Sequence, residues 1–194
     1  MAKALRSGFR GIDTAAQPKH YYEAGVGAAL REVVAEVPRE SVFVQTKFTP
    51  PAGHDLAKPI PYNLSASVDQ QVRESFASSL LNLGVEQVDS LLLHSPLATP
   101  EDTVLAWRAF EALHADGSAR MLGICNVDLA QLENLYRAAN VKPAVVQNRF
   151  YGRTSHDRLL REYAHSRGIV YQSFWTLTGN RQTVASPEAS HTVV

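Results

Sequence analysis

Short apolar runs alternate strictly with amphipathic segments along this 194-residue chain, and that alternation constrains the fold more than any other feature. Strands are expected at about Phe9–Thr14, Val42–Phe48, Val88–Ser95, Met121–Cys125, Ala144–Gln147 and Ile169–Trp175. A helix is expected over about Tyr22–Glu36, with Tyr22, Val26, Leu30 and Val33 on one face. Another covers Val68–Leu83, on the spacing of Val68, Val72, Phe76, Leu80 and Leu83. Thr99-Pro100-Glu101-Asp102 reads as a helix start, with a hydroxyl cap, a proline at the first helical position and acid in the first turn. That helix runs to about Ala115, before Gly117, and Asp128 with Gln131 caps the next. A further helix is expected over Ser155–Ser166, closed by Gly168, and residues 1–8 read as the last turns of a helix closed by Gly8. Strict strand–helix alternation implies a parallel sheet with right-handed crossovers. Two architectures satisfy it, an open doubly wound sheet and a (β/α)8 barrel. No Gly-x-Gly-x-x-Gly follows a strand, and Gly25 and Gly27 fall inside a helix, so the phosphate fingerprint of a dinucleotide sheet is absent.

The chemistry-bearing residues collect at strand ends. Asp13 ends the first strand, Lys47 the second and His94 the third; Asn126 follows Cys125, and Gln147 ends the next strand. In a parallel barrel these C-terminal ends meet on one face, where barrel enzymes act. Core packing does not account for such a series, because an unpaired buried charge costs several kcal/mol. Tyr21 and Tyr22 follow the first strand. A phenol with a pKa of about 10 is a poor proton donor near neutrality. An ammonium beside it is expected to lower that value, a carboxylate to hold the ammonium, and an imidazole to orient a carbonyl oxygen. The set reads as a proton-donating site for a carbonyl undergoing reduction.

Composition removes several other classes. Nineteen basic and 19 acidic side chains leave no net charge, so nucleic-acid and anionic-membrane binding are not expected. Cys125 is the single cysteine, which excludes an internal disulfide framework. No apolar run approaches the ~20 residues that span a bilayer, and the first residues lack a signal peptide's apolar core. A cytoplasmic location is expected by default. His20, His54, His114, His156, His165 and His191 show no ligand spacing, so no metal is expected. Trp107 and Phe110 read as helix-face core, and the proline-rich Thr49–Ser65 segment as either a lid or an insertion.

These motifs together resemble the aldo-keto reductase family. Gly8-Phe9-Arg10-Gly11-Ile12-Asp13-Thr14-Ala15 is similar to its glycine-aromatic-arginine-x-x-Asp-Thr-Ala signature, and Glu23-Ala24-Gly25-Val26-Gly27 to the Glu-x-x-Val-Gly that follows. Phe43-Val44-Gln45-Thr46-Lys47 resembles the strand with the catalytic lysine, and Asp89 through His94 to Pro96 the Asp-x-x-x-x-His-x-Pro strand. Gly123-Ile124-Cys125-Asn126, Pro143 to Gln147, and Ser173-Phe174-Trp175-Thr176-Leu177 resemble three later segments in family order.

The resemblance implies a (β/α)8 barrel of TIM type that reduces an aldehyde or ketone with NADPH, or NADH. Asp13, Tyr21, Lys47 and His94 would form the catalytic tetrad. Cys125, Asn126 and Gln147 would hold the nicotinamide carboxamide, and Phe174 would stack on its ring. The partner would be a small carbonyl substrate; the oligomeric state is left open. Ala16–His20 lengthens the usual spacing, and Tyr21 is preferred to Tyr22, which fits a helix-face core position. Cysteine replaces serine at Cys125, and phenylalanine replaces tyrosine at Phe174. A barrel of this kind needs about 250 residues. The chain is therefore expected to be an incomplete barrel of about six βα units over residues 1–180, followed by a polar tail, 181–194. The first strand and the last helix–strand–helix region, with its phosphate-binding residues, would be lacking, leaving unpaired edges near Ile12 and Tyr171. The alternative is a catalytically silent fragment, or a regulatory or interaction protein, on the same scaffold.

Overall fold

A computed structural model describes residues 1–180, and the expected polar tail lies outside the described residues. The order is α1 (Ala2–Arg6), β1 (Gly11–Asp13), α2 (Glu23–Val33), β2 (Phe43–Phe48), α3 (Val68–Leu83) and β3 (Val88–Leu93). There follow α4 (Pro100–Ala115), β4 (Ala119–Cys125), α5 (Leu129–Ala138), β5 (Val145–Arg149), α6 (Arg158–Ser166), β6 (Val170–Phe174) and the short α7 (Thr176–Gly179). All neighbouring strands pair in parallel, in the order β1-β2-β3-β4-β5-β6. The sheet is curled. The Gln45 side chain on β2 reaches that of Gln172 on β6 at 2.9 Å, and Asp13 on β1 meets Gln147 on β5 at 3.0 Å. Among the described residues this is an incomplete (β/α) barrel with β1 and β6 as its edges.

Side-chain alternation along the strands sorts residues between two environments. Val44, Leu91, Leu93, Leu122, Ile124 and Val146 face the helices and join Phe76, Trp107 and Phe110 in the main core. Leu92, Cys125 and Val145 form a separate small cluster on the lumen side. Gly123 permits that cluster, because a Cβ there would lie 2.5 Å from Leu92 Cδ2 and 2.9 Å from Val145 Cβ. Among the described residues no helix is long and apolar enough to cross a membrane.

Local signals account for the helix starts that were expected. Thr99 accepts from Asp102 N, and Asp128 and Gln131 form a reciprocal capping box. Two expectations need correction. Tyr22 is not a core residue: it sits at the N-cap of α2, 76 % exposed, because the helix begins one residue later. The helix expected from Ser155 begins at Arg158 instead. Ser155, His156 and Asp157 adopt φ of 51°, 54° and 51°. The Asp157 carboxylate accepts from Asn148 Nδ2 (2.8 Å) and Tyr171 Oη (3.1 Å), so it ties β5 to β6 and is not available as a helix cap.

Candidate active site

Lys47 points from β2 into the lumen and is wholly buried. Its Nζ donates to Asp13 Oδ1 at 2.6 Å and to the Thr14 carbonyl at 2.9 Å. A desolvated ammonium persists only when paired, so the register of β1 against β2 is tied to the pair. Asp13 also accepts from Gln45 Nε2 (2.8 Å) and Gln147 Nε2 (3.0 Å). Tyr21, half-buried, presents its ring to Lys47 Nζ, 5.2 Å from the ring centroid. The His94 ring meets Tyr21 edge-on at 5.8 Å. The structure therefore brings Asp13, Tyr21, Lys47 and His94 together at the C-terminal mouth of β1–β3 and leaves Tyr22 outside.

The electrostatics depart from expectation at Tyr21. Its phenol is pushed above the usual value of 10, by burial first and then by the Asp13 carboxylate. The expected lowering by Lys47 is not seen. The Lys47 ammonium is committed to Asp13 and Thr14 and lies over the ring; no hydrogen bond joins it to the Tyr21 hydroxyl. Tyr21 therefore keeps its proton at neutral pH. His94 is pushed down to about 4, by burial first and then by Lys47, so its imidazole is neutral. Its Nδ1 lies 2.8 Å from the Thr49 hydroxyl.

The four residues expected to meet a cofactor lie along the adjoining ends of β4, β5 and β6. Cys125 is fully buried, with its thiol pushed up by desolvation and its Sγ 3.7 Å from Gln147 Oε1. Asn126 takes a left-handed φ of 56°, and its Nδ2 donates to the His94 carbonyl at 2.7 Å. Its backbone N–H donates to the Gln147 carbonyl at 3.1 Å, so the two amide side chains come from neighbouring strand ends. Phe174 is half-exposed at the end of β6. Beside Asn126 a groove of about 690 Å³ opens, lined also by Asp128, Asn148, Arg149 and Tyr151 but by none of the four clustered groups.

Sequence reasoning missed several neighbours. Gln45 and Gln172 bond across the lumen, and Gln147 Nε2 also donates to Gln172 Oε1 at 3.0 Å. Arg149 stacks its guanidinium on Trp175 at 4.2 Å and lies 5.8 Å from the Phe174 ring. Lumen-facing alternation on β2, β5 and β6 was the available signal for all of them.

Two residues of the expected signature have structural duties. Glu23 is buried and accepts from Thr46 Oγ1 (2.6 Å) and Ser79 Oγ (3.1 Å), which joins α2, β2 and α3. Asp89 accepts from the Val44 amide, Arg39 and Arg120, closing the opposite end of the strands.

A curled parallel half-barrel with a buried lysine–aspartate pair, a tyrosine and a histidine at its strand ends defines the class of this chain as an incomplete (β/α) barrel with its polar cluster at one mouth. Comparison with known proteins names that class. The family described as "Aldo/keto reductase family" matches residues 1–183, and the chain belongs to it. It is 33 % identical to morphine 6-dehydrogenase of Pseudomonas putida, over 92 % of this chain and 54 % of that protein. It is also 33 % identical to glyoxal reductase of Bacillus subtilis, over 88 % of this chain and 54 % of that protein. Among solved structures, an aldo/keto reductase from Brucella melitensis superposes with a TM-score of 0.73 at 26 % identity, covering 91 % of this chain and 62 % of that one. An aldo-keto reductase of Bombyx mori, in complex with NADP, superposes with a TM-score of 0.72 at 26 % identity, covering 90 % and 54 %. The chain thus spans about half the length of the curated relatives it matches.

Proposed function

We propose that this site reduces the carbonyl of a small aldehyde or ketone to an alcohol, with Tyr21 donating the proton to oxygen. The observation that carries the reading is the convergence of the buried Lys47–Asp13 pair, the Tyr21 ring and the His94 ring at one mouth. Asp13 holds the Lys47 side chain in place. Lys47 offers the positive charge that a phenolate left behind by proton transfer requires. Neutral His94 orients the carbonyl oxygen toward the tyrosine.

The residues fit a nicotinamide cofactor at its reactive end. A carboxamide needs both a donor and an acceptor, and the Asn126 and Gln147 side-chain amides supply both from adjacent strand ends. Cys125 lies beside them, and Phe174 offers an aromatic face. NADPH, or NADH, would supply the hydride there. Relatives named as glyoxal and methylglyoxal reductases make short dicarbonyl compounds the first substrates to try.

One observation favours a second reading, a scaffold that binds cofactor without turnover: the Lys47 ammonium is committed to Asp13 and the Thr14 carbonyl and makes no hydrogen bond to the Tyr21 hydroxyl. Titrating the chain with NADPH while following tryptophan fluorescence, then adding methylglyoxal and following NADPH absorbance, separates the two. Quenching with turnover supports the reductase. Quenching without turnover supports the silent scaffold, and no quenching at millimolar cofactor rejects both.

A further inference from the structure

Thr49 is the first residue after β2, and it is buried. Its hydroxyl lies 2.8 Å from His94 Nδ1. Its carbonyl accepts two bonds from the proline-rich segment that follows, from the Tyr62 hydroxyl at 2.8 Å and from His54 Nε2 at 3.1 Å. Gln17 Nε2 anchors the same segment by donating to the Gly53 carbonyl at 2.8 Å. The segment is thus fastened to the residue that touches the active-site imidazole.

A threonine hydroxyl and an imidazole nitrogen can share a hydrogen bond in either sense. The surroundings of Thr49 choose one. Its Oγ has no other polar partner among the described residues. If Nδ1–H donated to the oxygen, the hydroxyl's own proton would be a buried donor without an acceptor, which is the costly arrangement. If the hydroxyl donates to Nδ1, one bond satisfies both groups. A neutral imidazole carries a single N–H, so an accepting Nδ1 leaves that hydrogen on Nε2. Nε2 has no protein partner among the described residues, and the ring stands edge-on to Tyr21.

We propose that Thr49 is a positioning residue that fixes His94 as the Nε2–H tautomer, and that His54 and Tyr62 hold the Thr49 backbone where it can do so. Nε2–H then serves as a second donor, beside the tyrosine hydroxyl, for a carbonyl oxygen. The other tautomer would turn a lone pair toward that oxygen and repel it. This consequence rests on the carbonyl-reduction reading; the tautomer itself does not.

The test is a long-range ¹H–¹⁵N correlation of the histidines in the labelled full chain near neutral pH. In the wild type, His94 is expected to show an unprotonated Nδ1 and a protonated Nε2. Thr49→Ser keeps the donor and is expected to keep that pattern. Thr49→Val has the same shape without the donor, and is expected to move His94 toward the Nδ1–H form or a mixture. Nδ1–H in the wild type overturns the proposal whatever the variants do, and an unchanged tautomer in folded Thr49→Val overturns it too. Where the chain reduces carbonyls, Thr49→Val lowers kcat about tenfold with cofactor binding unchanged, and Thr49→Ser restores it. A chain without turnover that shows the expected tautomer refutes the function and leaves this inference standing.

Discussion

Replacing Asp13 by asparagine removes one charge from the site and leaves its shape. The Lys47 side chain is 0 % exposed and has two oxygen partners, Asp13 Oδ1 and the Thr14 carbonyl. Breaking a fully buried pair from one side costs roughly 3–5 kcal/mol. Two features reduce that here. The Asp13 side chain is 44 % exposed, so water already screens part of the attraction. The asparagine oxygen also still accepts from Lys47. One feature raises it: both carboxylate oxygens now accept from glutamine amides, and an asparagine NH2 would face one of them donor to donor. The expected loss is about 2 kcal/mol.

A double-mutant cycle isolates the charge interaction from the lost hydrogen bonds. Lys47→Met removes the ammonium and keeps an unbranched chain in the same space. In that background Asp13→Asn is expected to cost less than about 0.5 kcal/mol, giving a coupling of about 1.5 kcal/mol. Urea unfolding of the four proteins measures it. The Asp13→Asn midpoint should fall by about 1 M, at an unchanged slope of ~2 kcal/mol/M. Equal losses in both backgrounds would refute the reasoning, because the ammonium and the carboxylate would then show no coupling.

Other changes probe the remaining parts. Tyr21→Phe is expected to abolish turnover while NADPH still quenches tryptophan fluorescence, whereas Tyr22→Phe, at a site 76 % exposed, should leave turnover unchanged and stability within about 0.5 kcal/mol; the reverse pattern rejects the tyrosine assignment. Gly27→Ala would drive a Cβ into the Asn82 carbonyl and to within 2.8 Å of the Leu83 backbone, so thermal melting should show a loss of about 2–3 kcal/mol. Acid should weaken the fold through His94. Its pKa is about 4 folded against 6.5 for the free side chain, so the unfolded chain binds more protons between those values, and stability falls as pH drops through that window. The total is on the order of 3 kcal/mol, and urea midpoints across the window should flatten in His94→Gln; an undiminished slope assigns the effect to other groups.

Residues whose role is settled by close neighbours were legible. Thr99, Pro100, Asp128 and Gln131 mark helix starts because a cap acts within one turn. Asp13, Lys47 and His94 stand out because each is an ionisable side chain at a strand's end. The errors are also physical. Tyr22 has helical spacing to Val26, yet spacing cannot separate a first-turn core residue from an N-cap facing water. A helix from Ser155 is the local reading, but Ser155, His156 and Asp157 take left-handed φ, and Asn148 and Tyr171 claim the Asp157 carboxylate.

Thr49, Gln45 and Gln172 mark the deeper boundary. Gln45 and Gln172 are 127 residues apart in sequence, and only the curl of the sheet makes them neighbours. Thr49 reads as the first loop residue after a strand until the end of β3 brings His94 beside it. Alternation predicts that lumen-facing polar groups must pair with something, since each is costly alone, but it cannot name the partner before closure is known. The expected acidification of Tyr21 failed for the same reason. Lys47 lies over the Tyr21 ring, but its commitment to Asp13 and Thr14 depends on the β1–β2 register. A strand-end motif therefore identifies which groups meet, whereas their protonation states follow from hydrogen bonds made across strands, and those must be read from the closed sheet.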